Sequence, residues 1–229
     1  MAKKKRKRDQ PPEPPVARFL RKQRKWGRRL GIMAGLIVAA GALWFIADPL
    51  AGCPSVVDAS GEEVCTGVIE GRANAAARTG SPAPNFVLAD YDGLAVQLDQ
   101  FDGKAVFVNF WASWCGPCER EMPFIQDMAD QFPDDLVVLA VNRGESDGTA
   151  KGWTRSRNFR EDLPNFYWLL DGRERVFREY QRGSGMPQSF FIDRNGIIRE
   201  TVNRGLEFDE MLVAVQQALN ASAPTTQLD

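Results

Sequence analysis

Trp111-Ala112-Ser113-Trp114-Cys115-Gly116-Pro117-Cys118 follows an apolar run, Ala105 to Phe110, and leads into Glu119-Arg120-Glu121-Met122-Pro123 and an amphipathic continuation. Two cysteines separated by two residues therefore sit on a strand-to-helix turn. A helix N-terminus carries partial positive charge and unpaired N–H groups, which stabilise a thiolate. Such a thiol loses its proton well below the usual value of about 8.5 and becomes a nucleophile at ordinary pH. The pattern predicts Cys115, at the turn, as the attacking thiol and Cys118, inside the helix, as the one that resolves the mixed disulfide. A structural zinc site is the rival use of such a pair, but it wants four ligands. The chain has no histidine and only 4 cysteines, the other two far upstream. The pair reads as a thiol–disulfide site.

Outward from this stretch, the domain alternates strands and helices. Ala105–Trp111 has no polar face over most of its length, as suits a strand buried on both sides. Upstream, Ala83–Leu88 and Val96–Leu98 flank Asp92-Gly93, a hairpin signal. Downstream, Met122, Ile125, Met128, Ala129 and Phe132 form one helical stripe. There follow a strand at 136–142, a helix around 151–161, a strand at 167–170 and a helix near 174–180. Strands at 189–193 and 197–202 straddle Asn195-Gly196, a second hairpin signal. A closing helix at 207–219 carries Phe208, Leu212, Val215 and Leu219 on one stripe. The expected fold class is α/β, a mixed central sheet with helices on both faces.

The charge is split along the chain. Of 29 basic and 30 acidic residues, 13 and 2 fall within the first 30 positions, a local net of +11, leaving 16 and 28 for the rest, a net of −12. An acidic folded part argues against nucleic acid as its partner. Residues 1–29 read as a basic cytoplasmic tail, where a lysine and arginine run followed by prolines cannot bury a core. Residues 30–50 read as a transmembrane anchor. Within them the 18 residues Leu30 to Ala47 carry no charge. As a helix that stretch reaches about 27 Å, close to a bilayer core of about 30 Å. Trp26 on one side, with Trp44 and Phe45 on the other, suits the two interfaces, and the preceding basic residues keep the N-terminus in the cytoplasm. A cleaved signal is a weaker fit to this long basic region and bulky apolar end. Leu50-Ala51-Gly52-Cys53 also looks like a bacterial lipobox, although Asp48-Pro49 interrupts the apolar run before it.

Residues 51–79 then form an extracytoplasmic linker holding Cys53 and Cys65. Thiols outside the cytoplasm tend to pair, so these two are a candidate structural disulfide, with a second redox pair as the sharper alternative. Residues 80–220 form the redox domain and 221–229 a flexible tail.

Three segments together resemble a known family. They are Gly80-Ser81-Pro82-Ala83-Pro84-Asn85-Phe86-Val87-Leu88-Ala89-Asp90 with Asp92-Gly93, the cysteine stretch through Pro123, and Gly185-Met186-Pro187-Gln188-Ser189-Phe190-Phe191-Ile192-Asp193. The chain resembles the thioredoxin fold and, within it, the membrane-anchored TlpA/ResA-like thiol–disulfide oxidoreductases, over roughly residues 80–220. The resemblance implies a thioredoxin-like domain with an N-terminal β-hairpin extension and an N-terminal transmembrane helix, lying on the periplasmic side of a bacterial cytoplasmic membrane. It implies a cis Pro187 whose loop faces Cys115 and turns the Met186 backbone towards an extended substrate. Trp114, Gly116, Pro117 and Asn109 become active-site support. Asn109 stands where cytosolic thioredoxins carry a buried aspartate. Glu121 stands where TlpA/ResA-like proteins carry a glutamate able to exchange a proton with the resolving thiol if burial raises its pKa. Without the resemblance, an exposed acid aiding the helix dipole explains Glu121 as well.

Gly116-Pro117 is the pair found in thioredoxin and points to a reducing potential. Cytochrome c maturation members of the family often have glutamate after the cis-proline, where this chain has Gln188, so apocytochrome c as substrate rests on the family alone. Electrons are expected from a membrane transporter of reducing equivalents, and no cofactor or metal is called for. The rival activities are a thiol peroxidase, whose N-terminal hairpin is similar, and a disulfide-forming oxidase. A copper-handling Sco-type protein needs a CxxxC spacing and a histidine, neither of which is present.

Overall fold

The computed structural model describes residues 55–58, 60–68 and 77–221. The expected tail at 1–29, anchor at 30–50, Cys53 and all but the first residue of the final tail lie outside these residues. Among the described residues no helix is long and apolar enough to cross a membrane.

The central element is β6 (Ala105–Trp111), every residue of which is buried. It runs parallel to β7 (Leu136–Arg143), which runs parallel to β8 (Phe166–Asp171). On its other side β6 pairs antiparallel with β9 (Gln188–Ile192), followed by β10 (Ile198–Val202). Beyond β8 the sheet continues antiparallel into β4 (Phe86–Asp90), which also pairs with β5 (Ala95–Gln97) and β3 (Gly67–Val68). Both expected hairpins form. Gly93 has φ +83, in the left-handed region that favours glycine, and Asp90 Oδ1 accepts the N–H groups of Asp92 and Leu94 at 2.9 and 2.8 Å.

Alternation along β6 divides the core. Ala105, Phe107 and Trp111 face a layer made by α1 (Gly116–Gln131), α2 (Asp147–Ser156) and α4 (Phe208–Asn220). Val106, Val108 and Phe110 face α3 (Arg175–Tyr180) and a short 3₁₀ turn, Leu98–Phe101. Helices on both faces, as expected, leave β6 no polar solvent to face, which is why its sequence shows no alternation.

Three details differ from the sequence reading. The helix expected at 151–161 is α2, four residues earlier at its start. Ser146 caps it by accepting the Thr149 N–H at 3.2 Å, and Asn158 ends it with φ 54 while the Phe159 N–H turns back to Thr154 O. The inner face of α4 is Met211, Ala214, Val215 and Ala218, with Phe208, Leu212 and Leu219 at its margins. Alanines let that helix lie close to the sheet, so the large residues sit beside the contact. Finally, the stretch expected as linker contributes β1 (Ser55–Val57) and β2 (Glu63–Cys65), an antiparallel pair, and β3, which joins the main sheet. Cys65 is disulfide-bonded; Cys53, the partner expected for it, lies outside the described residues.

Candidate active site

β6 delivers the chain to the turn at 112–115, and α1 starts immediately after Cys115. Cys115 is the N-cap of α1, and its Sγ accepts the Cys118 N–H at 3.2 Å. A sulfur there meets one of the N–H groups that a helix leaves unpaired in its first turn. Proline in the first positions of the helix costs no hydrogen bond, since its missing N–H would have had no partner in the helix. Cys115 and Cys118 form a disulfide with Cα atoms 5.3 Å apart. Cys115 retains 4% of its accessible surface and Cys118 none, so only the first sulfur can be approached from outside. Trp114 beside it is 65% exposed, a large apolar surface next to the reactive sulfur.

Below the disulfide, Glu121 lies on α1 three residues beyond Cys118 and is buried, with 1% exposure. The chain therefore does not use it as the exposed dipole partner that sequence alone equally allows. Its Oε1 accepts from Asn109 Nδ2 at 2.8 Å and its Oε2 from the Leu206 N–H at 2.9 Å. Burial pushes its pKa up to about 7, the two hydrogen bonds to the ionised form pulling the other way. A carboxyl balanced near neutrality can both take and return a proton at physiological pH. Asn109, on the α1 face of β6, also donates to Ser189 Oγ at 3.1 Å.

The third piece comes from β9. The Met186–Pro187 bond is cis. The antiparallel register pairs Gln188 with Phe110, so Pro187 and Met186 fall at the end of β6 that delivers the cysteine turn. Pro187 is buried and Met186 half-buried. Gln188 is fully buried and holds the preceding loop with both ends of its amide. Its Oε1 accepts the Arg182 N–H at 2.8 Å, while its Nε2 donates to Gly185 O at 2.9 Å and Gly183 O at 3.3 Å. A carboxylate could do only the first of these. Both ends of the Gln188 amide are thus engaged by this loop.

One residue escaped the sequence reading. Glu145, after β7, accepts from the Ser113 N–H at 2.8 Å, from the Ser113 hydroxyl, and from Asn142 Nδ2 at 2.7 Å. It ties the cysteine turn to the neighbouring strand. A signal was present, because Asn142 is a buried polar residue next to the end of a strand apolar up to that point, and pairs with Trp111 in register. Outside the site, Arg157 pairs with Glu119 at 2.8 Å and covers the Trp153 ring at 4.6 Å, securing the first turn of α1.

The sequence and fold were compared with known proteins. A model of the AhpC/TSA family matches residues 79–201. Thiol-disulfide oxidoreductase ResA of Geobacillus thermodenitrificans is 35% identical over 128 residues, which is 56% of this chain and 70% of that protein. Among solved structures, a Chlorobium tepidum protein described as thiol:disulfide interchange protein DsbE is 31% identical, with TM-score 0.55, over 62% of this chain and 99% of its own. A Bacteroides thetaiotaomicron protein described as a protein disulfide isomerase is 29% identical, with TM-score 0.56, over 69% of this chain and 96% of its own. The structure's CxxC disulfide at a helix N-terminus has its counterpart in these relatives' names: the chain belongs to the AhpC/TSA family of thioredoxin-fold proteins, as a ResA-like thiol–disulfide oxidoreductase.

Proposed function

We propose that the chain works as a reductase of protein disulfides outside the cytoplasm. Residues 30–50 anchor it in a bacterial cytoplasmic membrane, with residues 1–29 inside. The observation that carries the reading is the buried Glu121 carboxyl on the helix of Cys118, held by Asn109 and Leu206 with its pKa raised to about 7.

In the reduced protein the Cys115 thiolate, stabilised by the N-terminal amides of α1, attacks one sulfur of a substrate disulfide. A Cys115–substrate disulfide forms and the other substrate sulfur leaves as thiolate. Glu121, as carboxylate, takes the proton from the Cys118 thiol. The Cys118 thiolate attacks Cys115 Sγ, the second substrate sulfur leaves, and the Cys115–Cys118 disulfide remains. Two electrons have passed to the substrate, whose two thiolates take up protons from water and from Glu121. Reduction of the disulfide by a membrane donor of reducing equivalents reverses the proton path. Trp114 and the half-buried Met186 beside Pro187 offer the apolar and backbone surface for an extended substrate segment. Cys115, Cys118 and Glu121 are the catalytic residues of this scheme. The substrate class is a protein or peptide disulfide, with apocytochrome c as the family-based candidate.

The test mixes the reduced chain with a peptide carrying an intramolecular disulfide. The reading predicts one peptide disulfide reduced for each Cys115–Cys118 pair oxidised, and no reaction with Cys115→Ser. Faster oxidation by hydrogen peroxide than by the peptide would make the chain a thiol peroxidase instead. A membrane-impermeant thiol reagent that labels Cys115 in intact cells supports the topology, and labelling only after lysis contradicts it.

A further inference from the structure

Asn109 is held in an arrangement that one protonation state of Glu121 explains and the other does not. Its Nδ2 donates both protons, to Glu121 Oε1 and to Ser189 Oγ, while its Oδ1 is buried without a hydrogen-bond partner. These contacts suit an ionised Glu121, which accepts at both oxygens. When the carboxyl gains a proton, Oε2 still faces the Leu206 N–H, which can only donate. The proton therefore belongs on Oε1, where it meets a second N–H, that of Asn109. Two donors then face each other in a site closed to water, which costs a buried hydrogen bond.

We propose that Asn109 is a positioning residue that reverses its side-chain amide as Glu121 gains and loses its proton, and that Ser189 registers the change. A half-turn about Cβ–Cγ brings Oδ1 opposite the protonated Oε1 and restores the bond. The Ser189 hydroxyl, both donor and acceptor, turns from accepting to donating. The two hydrogen bonds to Glu121 and Ser189 are kept with their direction reversed, and the unpaired buried position passes from the amide oxygen to the amide nitrogen. Asn109 and Ser189 are register partners across β6 and β9, and Ser189 lies two residues beyond Pro187. The charge of the buried acid is thereby reported to the strand that opens at the substrate loop, by a group that does not itself titrate.

The surroundings leave this amide as the group that responds. Facing Glu121 are Asn109 from β6 and the Leu206 N–H from the segment before α4, with Cys118 three residues back on its own helix. Arg204, Glu207, Asp209 and Glu210, on that segment and the first turn of α4, are exposed, and Arg204 pairs with Glu210 at 2.8 Å. From β9 the uncharged Ser189 reaches this cluster through Asn109, while Gln188 turns to the other face and holds the 182–185 loop.

The inference rests on the proton role proposed for Glu121, and the test separates the two. In the full oxidised chain, labelled with 13C and 15N in detergent micelles, the Glu121 carboxyl carbon gives its midpoint directly. Nuclear Overhauser contacts from the Asn109 Nδ2 protons to Ser189 are expected above that midpoint and lost below it. Asn109→Leu gives a second reading. An amide that serves both forms of Glu121 leaves its acid constant within about threefold when removed, whereas one fixed as donor to the ionised form weakens the acid by about tenfold or more when lost. Persistence of the Nδ2–Ser189 contacts below the midpoint, with Glu121 titrating near neutrality, overturns the amide reversal alone. A Glu121 that does not titrate near neutrality overturns both readings.

Discussion

Replacing Glu121 by glutamine changes how stability depends on pH, and the structure sets both sign and size. The folded carboxyl has its pKa raised from 4.5 to about 7. Between those values the folded protein binds a proton that the unfolded chain has released, so Glu121 subtracts from stability as pH rises through the window. Below pH 4.5 it contributes nothing, and above about 7 the loss is complete. A shift of this size corresponds to about 3 kcal/mol, from 1.36 kcal/mol per unit. Glutamine keeps the volume and carries no charge, so Glu121→Gln gains on the wild type by about 3 kcal/mol between pH 4.5 and pH 7.5. Asp171, whose pKa burial also raises, is common to both proteins and cancels. Urea unfolding of the oxidised proteins, followed by tryptophan fluorescence from pH 4 to 8, measures the difference. A difference that stays constant with pH refutes the reasoning, because it leaves Glu121 with the same proton affinity folded and unfolded.

Four further substitutions test the site. Cys115→Ser abolishes disulfide reduction, while Cys118→Ser accumulates mixed disulfides with substrate, both visible on non-reducing gels; turnover by Cys115→Ser contradicts the order of attack. Glu145→Ala leaves Asn142 Nδ2 and the Ser113 N–H without their acceptor, and destabilises the oxidised fold by about 1–3 kcal/mol in denaturant titrations. Gln188→Glu sets carboxylate oxygens against Gly183 O and Gly185 O, costing about 1–3 kcal/mol at pH 7 and less at pH 4, where the protonated acid can donate to one of them.

The parts legible in the sequence are those decided by local pattern. The apolar run at 105–111 could only be a strand buried on both faces, and the residues after Cys115 could only turn into a helix. The hairpins at Asp92-Gly93 and Asn195-Gly196 followed from glycine's access to positive φ. Glu121 could be singled out as a candidate, but its burial depends on Asn109 and Leu206, 12 and 85 residues away, which no window of sequence contains. The same distance hid Glu145, 32 residues from the Ser113 that it holds. The start of α2 depended on one hydroxyl, that of Ser146, and its end on Asn158 adopting a left-handed conformation.

The central claim, that the chain reduces disulfides, is tested most directly by the reduction potential of Cys115–Cys118, measured by equilibration with a dithiothreitol or glutathione couple. The account predicts a value near that of thioredoxin, about −270 mV or lower, at which the dithiol form gives electrons to protein disulfides and needs its own supply. A value near about −120 mV, that of a strong oxidant, would contradict it and make the chain a former of disulfides.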